Sequence, residues 1–559
     1  MRLSYPHPSL PTPWAQAPEA SLTQLPDWTL DPQPPLIWSL AGTDSGGGAG
    51  LSADTRAAAA LGVHLCPVVA AVTAQHSCAV QAVYPLPAAQ IRAQLQALEA
   101  DMPPRAIKTG LLASVAAIEA LVEVLDRLRG QAEVALVVDP VLGATAGGAA
   151  FADEALLQAY REQLLPRCTL LTPNRAEAER LLGVPADSLS IPALARGLQQ
   201  RGAQAVCITG GDERALAGSG ELALDWVQTR LPQAGRPVCG WLALPRLPSL
   251  HHHGSGCSFA SAAAAALARG FVLPDALVLA KMLSWQAVRE GHAAGAGAGP
   301  VRATAHFIAN AQAMPLMSQD DEEALDCSSL GRWVQVLRDT ATPGTDFAPG
   351  LYGITEAAAQ IQALAASGQF AHLQLRIKTR SDDADLPAAL RLALRQAGAC
   401  RLWINDHWRL ALAEGASNLH LGQEDWAALL PQERQQLLAG VAAGELGLGL
   451  SSHSLWELAR ARALAPSYIA CGPVWPTRTK DMPWHPQGLA QLGWWCRMAG
   501  RPVVAIGGLL SPAQTQATAA QGASASCVVR ALAEGPAAWQ QHAQAFAQGR
   551  LEAGKAGLG

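Results

Sequence analysis

The chain has 559 residues, of which 50% are hydrophobic and only 15% are charged, and its formal net charge is −5. This length exceeds what one hydrophobic core usually supports, so we expect at least two globular domains and not a disordered chain. The acidic balance, with no cluster of Lys and Arg, argues against a nucleic-acid partner. No run of about 18 uncharged apolar residues indicates a membrane span.

The eleven cysteines are spread singly, without a CxxC pair. An odd number without a repeated spacing argues against a disulfide framework and against a zinc site. A cytoplasmic location, where thiols stay reduced, therefore fits best. The proline-rich start of the chain has no apolar stretch of the kind that marks a signal peptide. The sequence leaves the oligomeric state open, including a homo-oligomer.

The chain begins with a proline-rich segment, residues 1–34, for which we predict a flexible extension. From residue 35 to 314, short apolar runs alternate with helix-length stretches such as Glu154–Leu165. This alternation predicts an α/β domain built on a parallel sheet. The predicted strands are Leu36–Leu40, Val68–Val72, Ala135–Val138, Thr169–Thr172 and Ala205–Thr209.

Three features of this first domain point to phosphate chemistry. The first strand leads into a glycine-rich segment, 41–54, whose small residues let the backbone approach a ligand, although a flexible turn explains it as well. Further on, Gly254, Gly256 and Cys257 stand at the start of an Ala-rich helix, where free N–H groups and the helix dipole favour an anion. We expect the helix N-terminus to lower the pKa of Cys257, which could then act as a general base; the alternative is a structural cysteine.

The third feature is the pair Asn174 and Glu177, which follows a predicted strand. The two residues lie one helical turn apart, so both can face one site. An amide and a carboxylate suit Mg²⁺ with its waters and nucleotide phosphates. A helix N-cap followed by a first-turn glutamate is the alternative interpretation.

Together these features resemble the ribokinase-like superfamily, and several segments resemble the hydroxymethylpyrimidine (phosphate) kinase family over roughly residues 35–310. The segments that carry this resemblance are 41–54, 61–62, 73–75, 108–112, 138–141 and 253–257. It implies ATP-dependent phosphorylation of 4-amino-5-hydroxymethyl-2-methylpyrimidine and then of its monophosphate. By position it implies substrate contacts from Gln75, Asp54 and Gly42, a base at Cys257, an anion hole at Gly254–Gly256, and ATP contacts from Asn174, Glu177 and Gly211.

This half departs from the family pattern at two places. Thr209 stands where the family usually has lysine, and 142–147 replace a Lys-Ser-Gly segment. Both changes remove a cation that could touch phosphate, so we expect a slow kinase or one limited to a single step.

Residues 315–348 break the alternation and are predicted to form a linker, with one short helix near Leu330–Leu337. From 349 to 552 eight short apolar runs recur with helix-length segments between most of them. This rhythm predicts a (β/α)8 TIM barrel, in which the active site lies at the carboxyl ends of the strands. The predicted strands are Leu351–Ile354, His372–Ile377, Arg401–Ile404, Asn418–Leu421, Leu446–Leu450, Ser467–Ala470, Val503–Ile506 and Ala525–Val529.

Polar residues follow nearly every barrel strand. Alternation places Gln374, Arg376 and Lys378 on the inward side of one strand, which is costly unless they meet a ligand or each other. Asp406 and Asp425 end two neighbouring strands and could hold Mg²⁺, although carboxylates there can instead cap helices. The loop that carries Thr477, Thr479 and Lys480 is polar and cationic, and the loops after the last two strands are the usual phosphate site of such barrels.

The second half resembles thiamine phosphate synthase over roughly residues 349–550. The segments are 374–378, 404–406, 420–425, 476–480 and 505–508, in the order typical of that family. The resemblance implies that hydroxymethylpyrimidine diphosphate is joined to a thiazole phosphate with release of diphosphate. By position it implies pyrimidine diphosphate contacts from Gln374, Arg376, Lys378 and Asn405, Mg²⁺ at Asp406 and Asp425, Ser451 near the reacting centre, Lys480 at the diphosphate, and thiazole phosphate contacts from Thr477, Thr479, Gly508, Val529 and Arg530. Arg530 replaces a serine usual in the family.

The two resemblances predict a bifunctional enzyme, because the product of the first half would be the substrate of the second. Its partners are then small molecules, the pyrimidine with its phosphates and thiazole phosphate. One alternative keeps only the synthase active and makes the first half a degenerate binding module, as the loss of lysine at Thr209 would allow. Another makes the first half a pyridoxal or sugar kinase, against which Gln75 and the glycine-rich segment argue.

Overall fold

The fold was analysed in a computed structural model of the chain. The residues that the structure describes are 31–143, 151–211, 220–233, 236–320, 322–338, 346–378, 383–476 and 486–556. Their contacts divide them into two compact units, one ending at Leu337 and one starting at Arg338. Among the described residues, no helix has both the length and the apolar character needed to cross a membrane.

The first unit is built on a mixed sheet, which has ten strands in the described part of the chain. Their order across the sheet is β10-β9-β8-β7-β6-β5-β4-β1-β2-β3. The strands are β1 Leu36–Gly42, β2 His64–His76, β3 Ala79–Pro85, β4 Ala106–Thr109, β5 Ala135–Val138, β6 Leu170–Leu171, β7 Ala205–Ile208, β8 Leu222–Gln233, β9 Arg236–Pro245 and β10 Leu316–Met317.

The prediction of a parallel sheet is right for the centre of this sheet and wrong at both edges. β1, β2, β4, β5, β6 and β7 pair in parallel. β3 pairs with β2 in antiparallel fashion, and so do β8, β9 and β10 with their neighbours. The edge strands escaped the prediction because a tight hairpin needs no intervening helix, so the strand–helix alternation that marks parallel pairs is missing there.

Helices of the first unit cover the sheet, and the Ala-rich one is buried most completely. The helices are α1 Gly50–Ala60, α2 Ala88–Asp101, α3 Val115–Arg129, α4 Glu154–Ala159, α5 Arg175–Leu182, α6 Ile191–Gln200, α7 Ser255–Ala268, α8 Leu273–Arg289 and α9 Cys327–Arg338. Ala262–Ala266 in α7 are buried, five of them in succession, and α7 packs against α1 and α8. Side chains this small let the helix approach the ends of β1 and β4 closely, which positions its first turn near the glycine-rich segment.

The linker predicted from residue 315 starts too early. Leu316 and Met317 form β10 and pair with Leu242 and Ala243 of β9, so they belong to the sheet of the first unit. The short helix expected near Leu330–Leu337 is present as α9, which is amphipathic and buries Leu330, Trp333 and Val336. Most of the extension predicted for 1–34 lies outside the described residues.

The second unit is a closed barrel, for which the described residues supply eight parallel strands. They are β11 Gly350–Thr355, β12 Phe370–Leu375, β13 Arg401–Asn405, β14 Asn418–Leu421, β15 Gly447–Ser452, β16 Tyr468–Cys471, β17 Val503–Ala505 and β18 Ala525–Val528. The helices between and after them are α10 Ile361–Ala366, α11 Leu386–Gln396, α12 Trp408–Ala413, α13 Gln423–Ala427, α14 Pro431–Ala442, α15 Leu455–Ala463, α16 Gly488–Met498, α17 Pro512–Ala520 and α18 Pro536–Ala556. The predicted TIM barrel is confirmed.

Aromatic side chains fill the barrel interior. Phe347 stacks on His372 with ring centroids 3.9 Å apart, and Tyr468 meets Trp403 edge-on at 4.7 Å. Tyr352 lies beside them, 1% exposed. This layer fills the interior, and the cavity of the barrel lies at the carboxyl ends of the strands.

Candidate active sites

A cavity of about 440 Å³ lies at the carboxyl ends of the central strands in the first unit. It brings together residues from the segments that the sequence singled out there, except 61–62. Its lining includes Gly42, Gln75, Asn174, Glu177, Gly254, Gly256 and Cys257. This is the position at which open α/β sheets usually bind ligands.

The glycine-rich segment is held in shape by Asp44, which sequence reasoning passed over. Its carboxylate accepts hydrogen bonds from the backbone N–H groups of Gly46, Gly48 and Ala49 at 2.7–2.9 Å. His253 Nε2 lies 3.1 Å from Asp44 Oδ2 and ties the segment to the start of α7. Burial alone would raise the pKa of Asp44, but the hydrogen bonds from His253, Gln75 and the backbone hold it well below its usual range. Asp44 is therefore ionised and orders this side of the cavity.

The predicted anion hole begins at Gly254, the N-cap of α7. Gly254 has φ +85°, and a Cβ there would lie 2.2 Å from the carbonyl oxygen of Gly48. Only glycine fits this position without displacing the glycine-rich segment. The N–H groups of the first helical turn have no partners within a helix, so those of Gly256 and Cys257 are available to an anion in the cavity.

The pKa of Cys257 moves in the direction opposite to the one predicted. Burial raises it to about 12, an effect that the cation of Lys108 offsets only in part. The helix N-terminus does not overcome the desolvation of the thiolate. The thiol shares the cavity with Asp139, a carboxylate whose own pKa is raised by burial.

Asp54, predicted as a substrate-site acid, does not reach the cavity. It is 0% exposed and receives hydrogen bonds from Ser39 at 2.7 Å and Ser261 at 2.8 Å. Lys108 Nζ lies 2.9 and 3.1 Å from its two oxygens and 3.5 Å from Asp139. Burial would lower the pKa of Lys108, but Asp54, Cys257 and Asp139 raise it above its usual value. Asp54 thus pairs with a buried cation and lies outside the cavity lining.

Asn174 and Glu177 line the cavity and also fulfil the alternative interpretation. Asn174 Oδ1 accepts from the N–H of Glu177 at 2.9 Å, and Glu177 Oε2 accepts from the N–H of Asn174 at 3.0 Å, which is a capping box. Burial and the neighbouring Asp139 raise the pKa of Glu177 to about 8. A carboxyl in this state is ready to ionise when a cation arrives.

The two departures from the family pattern lie beside this pair. Thr209 lines the cavity and bridges to Asn174, whereas Gly211, predicted to contact ATP, is exposed and outside the lining. Of the segment 142–147, residues 144–147 lie outside the described residues. Lys108 is a cation near the site. It belongs to the segment 108–112, for which the sequence predicts no separate role. Its signal was a charged residue within the buried run Ala106–Thr109.

The barrel contains the second cavity, of about 650 Å³, at the carboxyl ends of its strands. It gathers most of the residues predicted for this half. Those that line it are Gln374, Arg376, Lys378, Asn405, Asp406, Asp425, Ser451, Gly508, Val529 and Arg530. Thr477, Thr479 and Lys480 lie outside the described residues.

Polar contacts order one side of this cavity. Gln374 Nε2 donates to Asn405 Oδ1 at 2.7 Å, so the inward residues of β12 and β13 orient each other. Lys378 Nζ pairs with Glu356 at 3.0 Å, but both side chains are more than half exposed. Solvent weakens such a pair, so Lys378 can exchange Glu356 for an anionic ligand at little cost.

Asp406 and Asp425 are neighbours at the cavity, as the sequence predicted. Burial together with the charge of Asp425 raises the pKa of Asp406 to about 6. Asp406 also has φ +63°, a left-handed conformation that is uncommon for residues other than glycine and that often marks functional sites. Asp425 Oδ2 accepts from the N–H of Gly422 at 3.0 Å, so it caps α13 as well.

This carboxylate pair fits a divalent cation. The repulsion between two neighbouring carboxylates is relieved when a cation neutralises them. Within the described ranges no cluster of three or more His, Cys, Asp or Glu could hold a metal by itself. Mg²⁺ commonly takes one or two carboxylates and completes its shell with water and substrate phosphates. The residues present therefore suit Mg²⁺ together with a phosphorylated ligand.

Ser451 lies on β15, next to β14, and contacts a histidine of β14 that sequence reasoning did not single out. Ser451 Oγ is 2.9 Å from His420 Nε2, and burial lowers the pKa of His420 to about 3. The missed signal was the alternation within β14, which turns Asn418 and His420 to one face. Gly508 has φ +77°, and a Cβ there would lie 2.5 Å from Cβ of Trp475. A glycine is therefore required where the chain turns past the cavity.

The first unit is an α/β domain whose cavity lies at a helix N-terminus, and the second is a barrel whose cavity combines a carboxylate pair with cationic side chains. Together they define a two-domain transferase of phosphorylated compounds. Two family models match it: phosphomethylpyrimidine kinase over residues 44–302 and thiamine monophosphate synthase over 350–532.

Similar proteins match either the first half or nearly the whole chain. The hydroxymethylpyrimidine/phosphomethylpyrimidine kinase of Streptomyces coelicolor is 39% identical over 48% of this chain and 94% of its own length. The probable chloroplastic thiamine biosynthetic bifunctional enzyme of Oryza sativa is 30% identical over 85% of this chain and 81% of its own length. The corresponding enzyme of Arabidopsis thaliana is 31% identical over 85% of each. An ADP complex of Bacillus subtilis pyridoxal kinase matches 49% of this chain and 98% of its own, with 29% identity and a TM-score of 0.42.

The chain belongs to the family of bifunctional thiamine biosynthetic enzymes. It joins a hydroxymethylpyrimidine and phosphomethylpyrimidine kinase to a thiamine phosphate synthase, and the predicted fusion, fold class and function are confirmed.

Proposed function

We propose that the first cavity transfers a phosphoryl group from MgATP to the hydroxymethylpyrimidine and then to its monophosphate. Gln75 lines the cavity and offers an amide that can both donate to and accept from an aminopyrimidine edge. The N–H groups of Gly256 and Cys257 hold the transferring phosphoryl group, where its negative charge gains most from the start of α7. In this proposal Asn174 and Glu177 would contact the phosphates of ATP and the Mg²⁺ that accompanies them.

The pKa of about 12 at Cys257 shapes the proton transfer that we propose. The thiol is protonated at neutral pH, so it cannot accept a proton unless it passes one on. As the substrate hydroxyl attacks phosphorus, its proton moves to the sulfur of Cys257 while the thiol proton moves to Asp139. What supports this step is that Cys257 and the Asp139 carboxylate line the same cavity and each shifts the pKa of the other.

In the barrel we propose that the pyrimidine diphosphate binds across β12 and β13. Gln374 and Asn405 orient the pyrimidine, and Arg376 and Lys378 bind the diphosphate. Asp406 and Asp425 would hold Mg²⁺, which supplies positive charge beside the leaving diphosphate when it is bound. Gly508, Val529 and Arg530 bind the thiazole phosphate, to which Arg530 can make a bidentate contact. Thr477, Thr479 and Lys480 complete both anion contacts in this proposal.

We also propose a cytoplasmic location for the enzyme. All eleven cysteines are free thiols, which suits a reducing compartment. The two plant relatives are named as chloroplastic proteins. Fractionation of cells that express the full chain would test this, and recovery in an organelle would contradict it.

A coupled turnover assay tests the proposed functions together. Purified full-length protein receives hydroxymethylpyrimidine, thiazole phosphate and MgATP, and thiamine phosphate is measured. Cys257→Ala should slow this reaction strongly but leave turnover of supplied pyrimidine diphosphate intact, whereas Asp406→Ala should abolish both. Cys327→Ala and Asp385→Ala, at exposed positions, are matched controls and should change neither.

The same assay tests the alternative that Thr209 suggests. Product from the diphosphate but none from the free pyrimidine or its monophosphate would mean that the first unit binds without catalysing. Product from the monophosphate alone would restrict the kinase to its second step.

A further inference from the structure

A chain of hydrogen bonds runs from the barrel cavity into the barrel interior. Ser451 Oγ at the cavity lies 2.9 Å from His420 Nε2, and His420 Nδ1 lies 2.6 Å from the hydroxyl oxygen of Tyr468. That oxygen lies 2.7 Å from the hydroxyl oxygen of Tyr352. Tyr352 and Tyr468 are each 1% exposed. Four side chains from four strands are thus connected in one line.

The direction of these hydrogen bonds decides what Ser451 presents to the cavity. A neutral imidazole has one N–H and one lone pair, so the line can run in two ways. In the outward arrangement, Tyr352 donates to Tyr468, Tyr468 donates to His420 Nδ1, and His420 Nε2–H donates to Ser451. In the inward arrangement every bond is reversed, so that Ser451 donates to His420 and the line ends at the hydroxyl proton of Tyr352.

The surroundings of Tyr352 favour the outward arrangement. In the described part of the chain, Tyr468 is the only hydrogen-bond partner of the Tyr352 hydroxyl. The inward arrangement would therefore leave a buried donor without an acceptor, which is unfavourable. In the outward arrangement each donor of the line inside the barrel has an acceptor. Only the Ser451 hydroxyl proton has none within the line, and it lies at the cavity, where a ligand can accept it.

His420 can serve in this line because it is neutral. It is 7% exposed, and its two ring nitrogens contact only the hydroxyls of Tyr468 and Ser451 among the described residues. No carboxylate in that part of the chain hydrogen-bonds to it, so nothing stabilises a second ring proton.

We propose that Tyr352 and Tyr468 are positioning residues that fix His420 as its Nε2–H tautomer and thereby make Ser451 a hydrogen-bond donor to the bound pyrimidine diphosphate. The proposal rests on the synthase function of this cavity. A serine that accepts from His420 keeps its own proton for an acceptor on the substrate, and such a donor stabilises negative charge that develops as diphosphate leaves. In the reverse arrangement Ser451 would turn a lone pair toward that charge.

The tautomer can be measured on the full-length protein without any turnover. Histidine ring nitrogens are labelled with ¹⁵N, and their chemical shifts distinguish protonated from unprotonated nitrogens; His420→Gln assigns the signals of this residue. We expect Nε2 protonated and Nδ1 unprotonated in the parent protein. A spectrum with Nδ1 protonated would overturn the proposal.

Two variants test the role of the tyrosines. Tyr468→Phe removes the donor to Nδ1, so a second tautomer should appear and synthase kcat should fall roughly tenfold with little change in KM. Tyr352→Phe should have the same effects to a smaller extent, because Tyr468 keeps its proton but loses the donor that orients it. If the inward arrangement held, Tyr352→Phe would remove an unsatisfied donor and leave kcat unchanged or raised, which would overturn the proposal.

Tyr84→Phe, at an exposed position of β3, is the matched control and should leave the spectrum and both activities unchanged. The thermal unfolding midpoint of the barrel shows whether each variant is folded. The expected tautomer in a protein that fails to convert the pyrimidine diphosphate would support the hydrogen-bond direction and refute the synthase assignment, so the two failures are distinguishable.

Discussion

Replacement of Lys108 by methionine should destabilise the first unit strongly. The substitution keeps a long unbranched side chain but removes the ammonium group that lies 2.9 and 3.1 Å from the two oxygens of Asp54. Both side chains are 0% exposed, so no water replaces the lost partner. Asp54 must then stay charged and face only the hydroxyls of Ser39 and Ser261, or take up a proton at neutral pH. Either outcome costs free energy in the folded state alone.

The magnitude follows from the burial of this pair. Removing one partner of a buried ion pair typically costs about 3–5 kcal/mol, and the second carboxylate near Lys108, Asp139 at 3.5 Å, argues against the lower end. At about 2.1 cal/mol/K of unfolding entropy per residue over roughly 300 residues, this corresponds to a fall in Tm of about 5–8 °C. The paired change Lys108→Met with Asp54→Asn should recover part of the loss, because it removes the stranded charge.

Scanning calorimetry of the full chain measures this effect, and turnover of supplied pyrimidine diphosphate shows that the barrel stays folded. The matched control is Arg127→Met, which breaks a solvent-exposed pair with Glu99 at 2.8 Å and should shift Tm little or not at all. If Lys108→Met shifts Tm no more than Arg127→Met does, the buried pair does not stabilise the unit and the reasoning is refuted.

Three further predictions concern the two cavities. Gly254→Ala should reduce kinase turnover at least tenfold, because φ is +85° and the new Cβ would lie 2.2 Å from the Gly48 carbonyl oxygen; Gly331→Ala, in open space on α9, should leave ADP release unchanged. Affinity for Mn²⁺ as a probe of the Mg²⁺ site should fall below pH 6, by up to about tenfold per pH unit, because the raised pKa of Asp406 lets a proton compete with the metal. Without metal, the same raised pKa makes Asp406 contribute to the stability of the fold below pH 3.8, and this contribution is lost as pH rises through about 6. A Mn²⁺ affinity that does not change with pH, or a pH dependence that persists in Asp406→Asn, would contradict the prediction. Arg530→Ser should raise KM for thiazole phosphate several-fold with kcat nearly unchanged, and an unchanged KM would show that the arginine does not meet the phosphate.

The barrel site could be predicted from the sequence because its geometry follows from simple periodicities. Strand alternation turned Gln374 inward, and the shared carboxyl ends of parallel strands brought Asp406 and Asp425 together. His420 obeys the same alternation within Asn418–Leu421 and could have been found by it. The tyrosines below it could not, since an aromatic residue in a buried strand is ordinary core until its hydroxyl is seen to meet a polar partner.

The kinase site was harder to predict because its main features depend on contacts between distant segments. Asp54 follows the glycine-rich segment in the chain, but one helical turn carries it beneath the cavity, where Lys108 from β4 and Ser261 from α7 meet it. The pKa of Cys257 depends on burial by surrounding elements, which no local pattern encodes. The edge strands were missed for a related reason, since hairpins such as β8–β9 lack the helix that marks a parallel crossover.

In the functions that we propose, the two halves bind phosphate by different means, and this difference bears on the missing lysine at Thr209. The barrel places the cationic side chains of Arg376, Lys378 and Arg530 in its cavity, and each can be substituted separately. For the first unit we propose backbone N–H groups at the start of α7; Arg180 is a cation in the cavity lining, whereas Lys108 is 0% exposed and held by Asp54. Arg180 donates to the carbonyl oxygens of Leu142 and Ala152 and keeps a positive charge at the cavity, which low-dielectric surroundings screen weakly. Loss of a lysine at position 209 therefore removes only part of the attraction for phosphate, which favours a slower kinase over an inactive one.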